Sequence, residues 1–280
     1  MRQLVADMSS KYKIEDSKSK VFLYADEFTN QHEAELGLSF ARLLMRLGYQ
    51  VEIPNLLESG RAAISKGCLK RAKKIAQENV KMLSTLNGKP STVNGKLSTS
   101  QLVGLEPSAI LTFRDEYPDL VPAEQRHKAI LLGKNCLLYD EFLKQEIDNG
   151  NISAEDFKSD EMEIWLHGHC HQKALVGIEK TVEVLRGLLK GAKVHVIPSG
   201  CCGMAGSFGY EKEHYKTSLA IGEMVLFPKV REIVNCQSSN VNSNVPTFVA
   251  APGTSCRQQI FDGTGVRAVH PIEILYNYKK

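Results

Sequence analysis

The two halves of the chain resemble each other at a near-constant offset. Val21-Phe-Leu-Tyr matches Ile164-Trp-Leu-His, and Gly60 matches Gly203. Self-similarity of this kind indicates that one structural unit occurs twice along the chain. The repeat therefore predicts a tandem duplication, in which each copy builds its own share of the fold.

Each copy alternates strand-like and helix-like segments. A short run of β-branched and aromatic residues opens the copy, a polar loop follows, and apolar residues then recur at helical spacing. The helix ends at Gly48 in one copy and at Gly191 in the other, and an alternating strand-like run follows each glycine. We predict an α/β fold of tandem duplicated β-α-β (Rossmann-like) units with mostly parallel sheets.

The predicted domain organisation has four parts. They are an N-terminal lead-in at 1–18, a first repeat at 19–120, a helical connector at 121–160 and a second repeat at 161–280. The lead-in is polar and without periodicity, so we expect it either to fray or to pack against an interface. The connector is predicted from its helical pattern, which ends at Gly150.

Composition limits the classes of function. The 280 residues are 42% hydrophobic, which is enough for one large core or two medium ones. The net charge is +3, and the basic residues are spread along the chain without interleaved aromatic residues. We therefore expect no nucleic-acid partner. Signal-peptide and membrane-span patterns are not found, which predicts a cytoplasmic protein without a transmembrane segment. In that compartment its 7 cysteines favour metal or redox chemistry over disulfides.

Four cysteines follow strand-like runs of the second repeat. Cys170, the adjacent pair Cys201 and Cys202, and Cys256 each come shortly after such a run. Because the carboxyl ends of parallel strands meet at one edge of a sheet, we expect these thiols to lie together. Four thiolates are a soft ligand set that favours an iron–sulfur cluster or zinc.

The glycines beside the adjacent pair support this interpretation. Gly200 and Gly203 allow the close backbone approach that a compact cofactor requires. The alternative, a glycine-rich turn whose cysteines pack as small apolar residues, is less favoured. Cys68, Cys136 and Cys236 have no partner at a matching strand end, so we predict them to be packing or incidental thiols.

Several basic side chains flank the predicted ligands. With four cysteines available, we expect His167, His169 and His171 to position the ligands or donate to sulfur rather than to ligate, with a purely structural role as the alternative. Lys173 and Arg257 each follow a cysteine and could offset the charge of a thiolate cluster, whereas solvated helix-face residues are the alternative.

The first repeat lacks these thiols. Glu27 stands where the second repeat has its first ligand, Glu58 and Ser59 where it has the adjacent pair, and Ala109 where it has the last. We predict that this copy binds no cluster and serves as a scaffold or docks a partner.

Five segments together resemble a known family. They are Gly104–Pro118, His167–Leu175, Ser199–Tyr210, Gly253–Arg257 and His270–Leu275. They resemble the cysteine-rich CCG domain, present as a tandem pair, of heterodisulfide reductase B-type subunits and of iron–sulfur subunits of glycolate, glycerol-3-phosphate and lactate oxidising systems. They are more similar still to the C-terminal region of large FAD-linked oxidases acting on D-2-hydroxy acids.

The resemblance implies a ligand set and a cofactor. By this resemblance, the family's cluster cysteines correspond to Cys170, Cys201, Cys202 and Cys256. The implied cofactor is an iron–sulfur cluster of the 4Fe-4S type, with zinc as the alternative. Many CCG domains end in a C-x-x-C pair, whose first member is here Gly253. That departure argues against a noncubane cluster that needs five thiolates.

The resemblance also implies a function. The chain is expected to be the electron-transfer module of an FAD-linked oxidoreductase that oxidises D-2-hydroxy acids such as lactate, glycolate or 2-hydroxyglutarate. Flavin fingerprints and ferredoxin C-x2-C-x2-C-x3-C runs are not found in it. We therefore expect FAD and ferredoxin-type clusters in a partner subunit or domain. The chain itself is expected to be a separated or truncated C-terminal portion. Peripheral contact with a membrane acceptor is compatible with this expectation.

Two other functions stay open at this point. The four thiolates could hold zinc in a structural or docking module without redox activity. Alternatively, Cys201 and Cys202 could cycle through a disulfide, although adjacent cysteines form a strained bridge. No catalytic residue is assigned under any of these hypotheses.

Overall fold

The computed structural model describes residues 1–11, 18–86, 91–93, 96–98, 101–239 and 245–280. The chain divides into two compact units, Met1–Ile152 and Ser153–Lys280. Each unit contains a parallel sheet whose strands are joined through helices. The predicted α/β class with parallel sheets is confirmed.

The sheet of unit 1 has four parallel strands. They are β1 (Lys20–Leu23), β2 (Gln50–Glu52), β5 (Leu102–Gly104) and β6 (Cys136–Leu138), and a separate antiparallel pair is formed by β3 (Ser91–Val93) and β4 (Lys96–Ser98). The order in the parallel sheet is β2-β1-β5-β6. Parallel neighbours require crossover connections, and helices provide them here.

The helices of unit 1 occupy most of the remaining chain. They are α1 (Arg2–Lys11), α2 (Glu27–Gln31), α3 (Ala34–Arg46), α4 (Arg61–Ser65), α5 (Leu69–Leu86), α6 (Pro107–Leu111), α7 (Tyr117–Leu120), α8 (Ala123–Gly133) and α9 (Tyr139–Asp148). The crossover helix α3 buries Phe40, Leu43 and Leu44 completely. Those residues belong to the apolar stripe at helical spacing that predicts this helix.

Regular structure extends into the predicted lead-in and connector. Within the predicted lead-in, residues 2–11 form helix α1 and Val5 is buried, so this described part packs against the unit instead of fraying. Strand β6 lies within 121–160 and pairs with β5, which makes it part of the sheet of unit 1. A strand of three residues that are all buried shows no alternation, and the sequence pattern therefore misses it.

The sheet of unit 2 has three parallel strands, β7 (Met162–Leu166), β8 (Ala192–Val196) and β9 (Thr247–Ala250). Their order is β8-β7-β9. The first strand is central, the second pairs on one side and the third on the other, as with β1, β2 and β5 in unit 1. This shared order supports the predicted duplication, whose exact boundaries stay a prediction.

Six α-helices are described in unit 2. They are α10 (Cys170–Leu175), α11 (Glu179–Leu188), α12 (Tyr215–Met224), α13 (Leu226–Ser239), α14 (Thr254–Thr264) and α15 (Pro271–Tyr278). In the second repeat the helical spacing of apolar residues predicts one helix, with Leu175, Ile178, Val182, Leu185 and Leu189 along its stripe. Gly177, with φ +75°, instead separates α10 from α11. Across the described residues, no helix combines the length and apolarity that a bilayer crossing needs.

Candidate metal centre

Three loops of unit 2 leave the same edge of its sheet. Strand β7 leads through residues 167–169 to Cys170, the first residue of α10. Strand β8 leads to Cys201 and Cys202, and β9 leads to Cys256 in the first turn of α14. Because the three strands are parallel neighbours, the loops that follow them begin side by side.

The four thiols form one continuous series of contacts. Cys201 shares hydrogen bonds with Cys170 and with Cys202, and Cys202 shares another with Cys256. Cys202 and Cys256 are buried in the core of unit 2, whereas Cys170 and Cys201 are half-buried. The structure thus brings together all four cysteines that the sequence singles out.

Hydrogen bonds among the thiols shift their pKa values in opposite directions. The hydrogen bond to Cys201 raises the pKa of Cys170, and hydrogen bonds to Cys201 and Cys256 raise the pKa of Cys202. The same bonds lower the pKa of Cys201 and of Cys256, which accept them. A bound metal would take the place of the protons that these thiols share.

Backbone N–H groups around the adjacent pair favour the thiolate form. The N–H of Gly203 donates to Sγ of Cys201 at 3.3 Å, and a further bond from the N–H of Ala205 lowers the pKa of the same thiol. The N–H of Met204 acts in the same way on Cys202. Donors aimed at sulfur stabilise negative charge there, and at iron–sulfur sites they tune the reduction potential.

The path of this loop depends on Gly203 more than on Gly200. Gly203 has φ +104°, and a Cβ at this position would overlap the carbonyl oxygen of Ser218. A Cβ on Gly200 would meet nothing within 4 Å. The backbone conformation therefore requires glycine at 203, whereas the space around position 200 would accept a side chain.

His167 points into the group of thiols. It is fully buried, and its Nδ1 lies 2.7 Å from Oγ of Ser199. Its Nε2 is buried without a partner in normal hydrogen-bond geometry. One ring nitrogen and the Sγ atoms of Cys202 and Cys256 lie within 4.8 Å of one another. The contact between His167 and Ser199 is not predicted by any pattern in the sequence.

His169 has a different set of contacts. Its Nδ1 accepts the backbone N–H of His171 at 3.2 Å and so caps α10. Its ring lies against Gly253, where an added Cβ would overlap ring carbon Cδ2 and come within 3.2 Å of Sγ of Cys256. Position 253 is therefore covered by this imidazole.

Lys173 and Arg257 brace the loops that carry the thiols. The Nζ of Lys173 donates to the carbonyl oxygens of Ser199 at 2.7 Å and Gly200 at 2.6 Å. The buried Arg257 donates from Nη1 to two carbonyl oxygens, of residues 251 and 252, at 2.6 and 2.8 Å. Both cations are held against loop backbone, in contrast to the alternative of solvated helix-face residues.

The remaining cysteines are placed differently. Cys68 and Cys236 are exposed. Cys136 is buried in β6, where its thiol donates to the carbonyl oxygen of Leu132 at 3.4 Å. Burial raises the pKa of Cys136 to about 12, which keeps it a neutral packing thiol.

The strand ends of unit 1 carry carboxylates in place of thiols. Oxygens Oε2 and Oε1 of Glu27 accept from the backbone N–H and the hydroxyl of Ser59, at 2.8 and 2.7 Å. Asp26 is fully buried and accepts three hydrogen bonds at the start of α2. Burial raises the pKa of Asp26 to about 7. These polar groups satisfy one another within the chain.

The chain is similar to proteins of known redox systems. It is 30% identical over 260 residues to D-2-hydroxyglutarate dehydrogenase of Pantoea ananatis, covering 91% of this chain and 22% of the relative. It is 27% identical over 259 residues to a subunit of the anaerobic glycerol-3-phosphate dehydrogenase of Escherichia coli, covering 92% and 59%. It is 26% identical over 268 residues to lactate utilization protein A of Macrococcus caseolyticus, covering 92% and 96%.

Coverage differs among these relatives. The chain spans less than a quarter of the length of the hydroxyglutarate dehydrogenases and nearly the whole length of the lactate utilization protein. No family model matches the chain. The similarity therefore extends over most of this chain, but over only a small part of the largest relatives.

Proposed function

We propose that this chain is an electron-transfer module that holds an iron–sulfur cluster on Cys170, Cys201, Cys202 and Cys256. The observation that carries the proposal is the continuous series of contacts among these four thiols. They come from three loops that follow neighbouring parallel strands, so the fold itself holds them together.

The donor set fits a cluster. Thiolates are the protein ligands that iron–sulfur clusters require, and N–H groups that donate to sulfur, such as that of Gly203, are typical of their surroundings. When bound, a cluster of this kind accepts and releases single electrons. The buried Cys202 and Cys256 would shield it from water, while the half-buried Cys170 and Cys201 leave it close to the surface.

We propose further that the module serves the oxidation of D-2-hydroxy acids or related hydroxy compounds. The support comes from relatives named for D-2-hydroxyglutarate, glycerol-3-phosphate and lactate. The chain matches only 22–23% of the length of the hydroxyglutarate dehydrogenases. Substrate oxidation, FAD and ferredoxin-type clusters accordingly belong, in this proposal, to a flavoprotein partner subunit or domain.

Anaerobic metal analysis tests the proposal. The protein, purified without oxygen, is expected to contain iron and acid-labile sulfide and to show broad visible absorption. Cys256→Ala should lose the iron and sulfide. Cys68→Ala, which removes an exposed thiol of unit 1, is the matched control and should retain both. Colourless wild-type protein with stoichiometric zinc, or full iron content in Cys256→Ala, would contradict the proposal.

A structural zinc site is the second candidate. The number of thiols favours it, because four thiolates are a common ligand set of structural zinc. In that case the metal would tie the three loops together without redox chemistry, and a chelator would loosen the peptides around Cys170, Cys202 and Cys256. Iron, sulfide and zinc contents measured on one preparation separate the two candidates.

A further inference from the structure

We infer that His167 supplies a nitrogen ligand to the metal centre, as a fifth protein donor beside the four cysteines. The inference rests on the proposed function, because it concerns the same metal. It assigns to His167 a role distinct from those of His169 and His171, which lie close to it in the sequence.

The first argument is the burial of His167. Its side chain is completely buried, Nε2 has no nitrogen or oxygen partner, and a hydrogen bond with Cys256 holds the ring against the thiols. A buried polar nitrogen without a partner is costly, so such atoms commonly mark the place of an ion or ligand. The neighbouring atoms here are the Sγ atoms of Cys202 and Cys256, which with a nitrogen of this ring lie within 4.8 Å of one another.

The second argument is the partner of the other ring nitrogen. Nδ1 of His167 lies 2.7 Å from the hydroxyl oxygen of Ser199. When that oxygen accepts the Nδ1 proton, Nε2 carries a lone pair that faces the thiols. Metal-bound histidines are oriented in this way, with the second nitrogen donating to a neighbouring oxygen. Ser199 is thus the positioning residue for His167.

The third argument is the contrast with His169. Its Nδ1 accepts the backbone N–H of His171, so the neutral ring carries its proton on Nε2. A protonated nitrogen cannot ligate a metal, although it can donate a hydrogen bond to sulfur. The ring also covers Gly253 beside Sγ of Cys256, which excludes a side chain at that position. A fifth donor from residue 253 is therefore excluded, whereas His167 approaches Cys202 and Cys256 directly.

Pulsed EPR on the full chain with ¹⁵N-labelled histidine tests the inference. The anaerobic protein is placed in a paramagnetic state by one-electron reduction or oxidation, and iron and sulfide are measured on the same sample. Wild-type protein is expected to show the strong coupling of a directly bound nitrogen. His167→Ala should lose that coupling, and His169→Gln, the matched control, should retain it. Ser199→Ala should weaken or broaden it, because the ring is no longer held.

A second variant distinguishes the loss of a ligand from a loss of folding. In His167→Gly, added ¹⁵N-imidazole should enter the vacated space and restore the coupling, whereas in wild-type protein it should have no effect. Iron-containing wild-type protein without strong nitrogen coupling would overturn the inference and leave the proposed function standing. Retention of the coupling in His167→Ala would overturn it as well.

The zinc outcome is also decisive. If the preparation contains zinc and no iron, the proposed function fails, and cobalt(II) substituted for zinc then tests His167 separately. The visible ligand-field bands of the cobalt protein should shift in His167→Ala and stay unchanged in His214→Gln, whose side chain is 42% exposed and pairs with Glu211. Unchanged bands in both variants would overturn the assignment of His167 as a ligand.

Discussion

The carboxyl ends of the two parallel sheets differ in how their polar groups are satisfied. In unit 1, the carboxylate of Glu27 accepts two hydrogen bonds from Ser59, and Asp26 accepts three at the start of α2. In unit 2, the corresponding loops bring together four thiols and the buried imidazole of His167. The same strand order thus carries hydrogen-bonded carboxylates in unit 1 and a group of thiols with an imidazole in unit 2.

The comparison shows that one strand order can place either carboxylates or thiols after its strands. Parallel strands deliver three loops to one edge whatever their side chains are. The carboxylate of Glu27 instead accepts a hydrogen bond on each oxygen from Ser59, so donors of its own chain stabilise its charge. Thiols that share protons with one another retain the capacity to bind a metal, because the metal can replace those protons.

The largest expected effect concerns two glycines at matching positions. Gly203→Ala should destabilise metal-free unit 2 by about 3–5 kcal/mol and abolish metal binding, because the new Cβ overlaps the carbonyl oxygen of Ser218 at a left-handed backbone position. Gly60→Ala should cost only about 1–2 kcal/mol, since its Cβ meets Ile75 at an ordinary 3.5 Å. Peptide-resolved hydrogen exchange with metal analysis measures both.

Equal losses of hydrogen-exchange protection in Gly203→Ala and Gly60→Ala would contradict this difference between the two units. It would mean that the loop before α4 is as tightly constrained as the loop that carries Cys201 and Cys202. Gly200→Ala serves as a control within unit 2, because a Cβ at that position meets nothing within 4 Å. It should leave both protection and metal content near their wild-type values.

The next effect is a pH dependence confined to unit 1. Burial raises the pKa of Asp26 from 3.8 to about 7, so the folded state holds a proton that the unfolded state releases. Stability is therefore lost as the pH rises from about 4 to about 7, by at most about 4 kcal/mol. Asp26→Asn should remove this slope and stabilise unit 1 at pH 8.

Hydrogen exchange of the peptides that contain β1 and α2, followed between pH 4 and pH 8, measures the effect after correction for intrinsic exchange rates. Asparagine keeps a carbonyl oxygen for the N–H groups of Phe28 and Thr29. An unchanged slope in the variant would show that a group other than Asp26 causes the pH dependence.

The smallest effect concerns the link between Glu27 and Ser59. Glu27→Ala removes two hydrogen bonds to a carboxylate and should lower the stability of unit 1 by roughly 1–3 kcal/mol. The metal content should not change, since the predicted ligands are all in unit 2. Glu35→Ala is the control, because this carboxylate is 84% exposed and should contribute less than about 0.5 kcal/mol. Equal effects of the two variants in urea unfolding would argue against the link.

Much of the site's framework could be predicted from local patterns. The helix that contains Phe40 and Leu43 follows from apolar spacing, and the grouping of Cys170 with Cys202 and Cys256 follows from their positions after parallel strands. Strand β6 and helix α1 could not be predicted in this way, because a three-residue buried strand and a mostly polar helix carry little periodic signal. The metal-binding role of the four thiols stays a prediction.

By itself, the sequence determined the α/β class, the doubled strand pattern and the four thiols at strand ends, because these depend on periodicity and on position along the chain. Only the tertiary structure decided that His167 meets Ser199 across 32 residues, that His169 covers Gly253, and that Lys173 braces the loop before Cys201. Such contacts depend on the course of loops between elements. That course is set by packing and hydrogen bonding of the whole unit, which no local pattern of residues records.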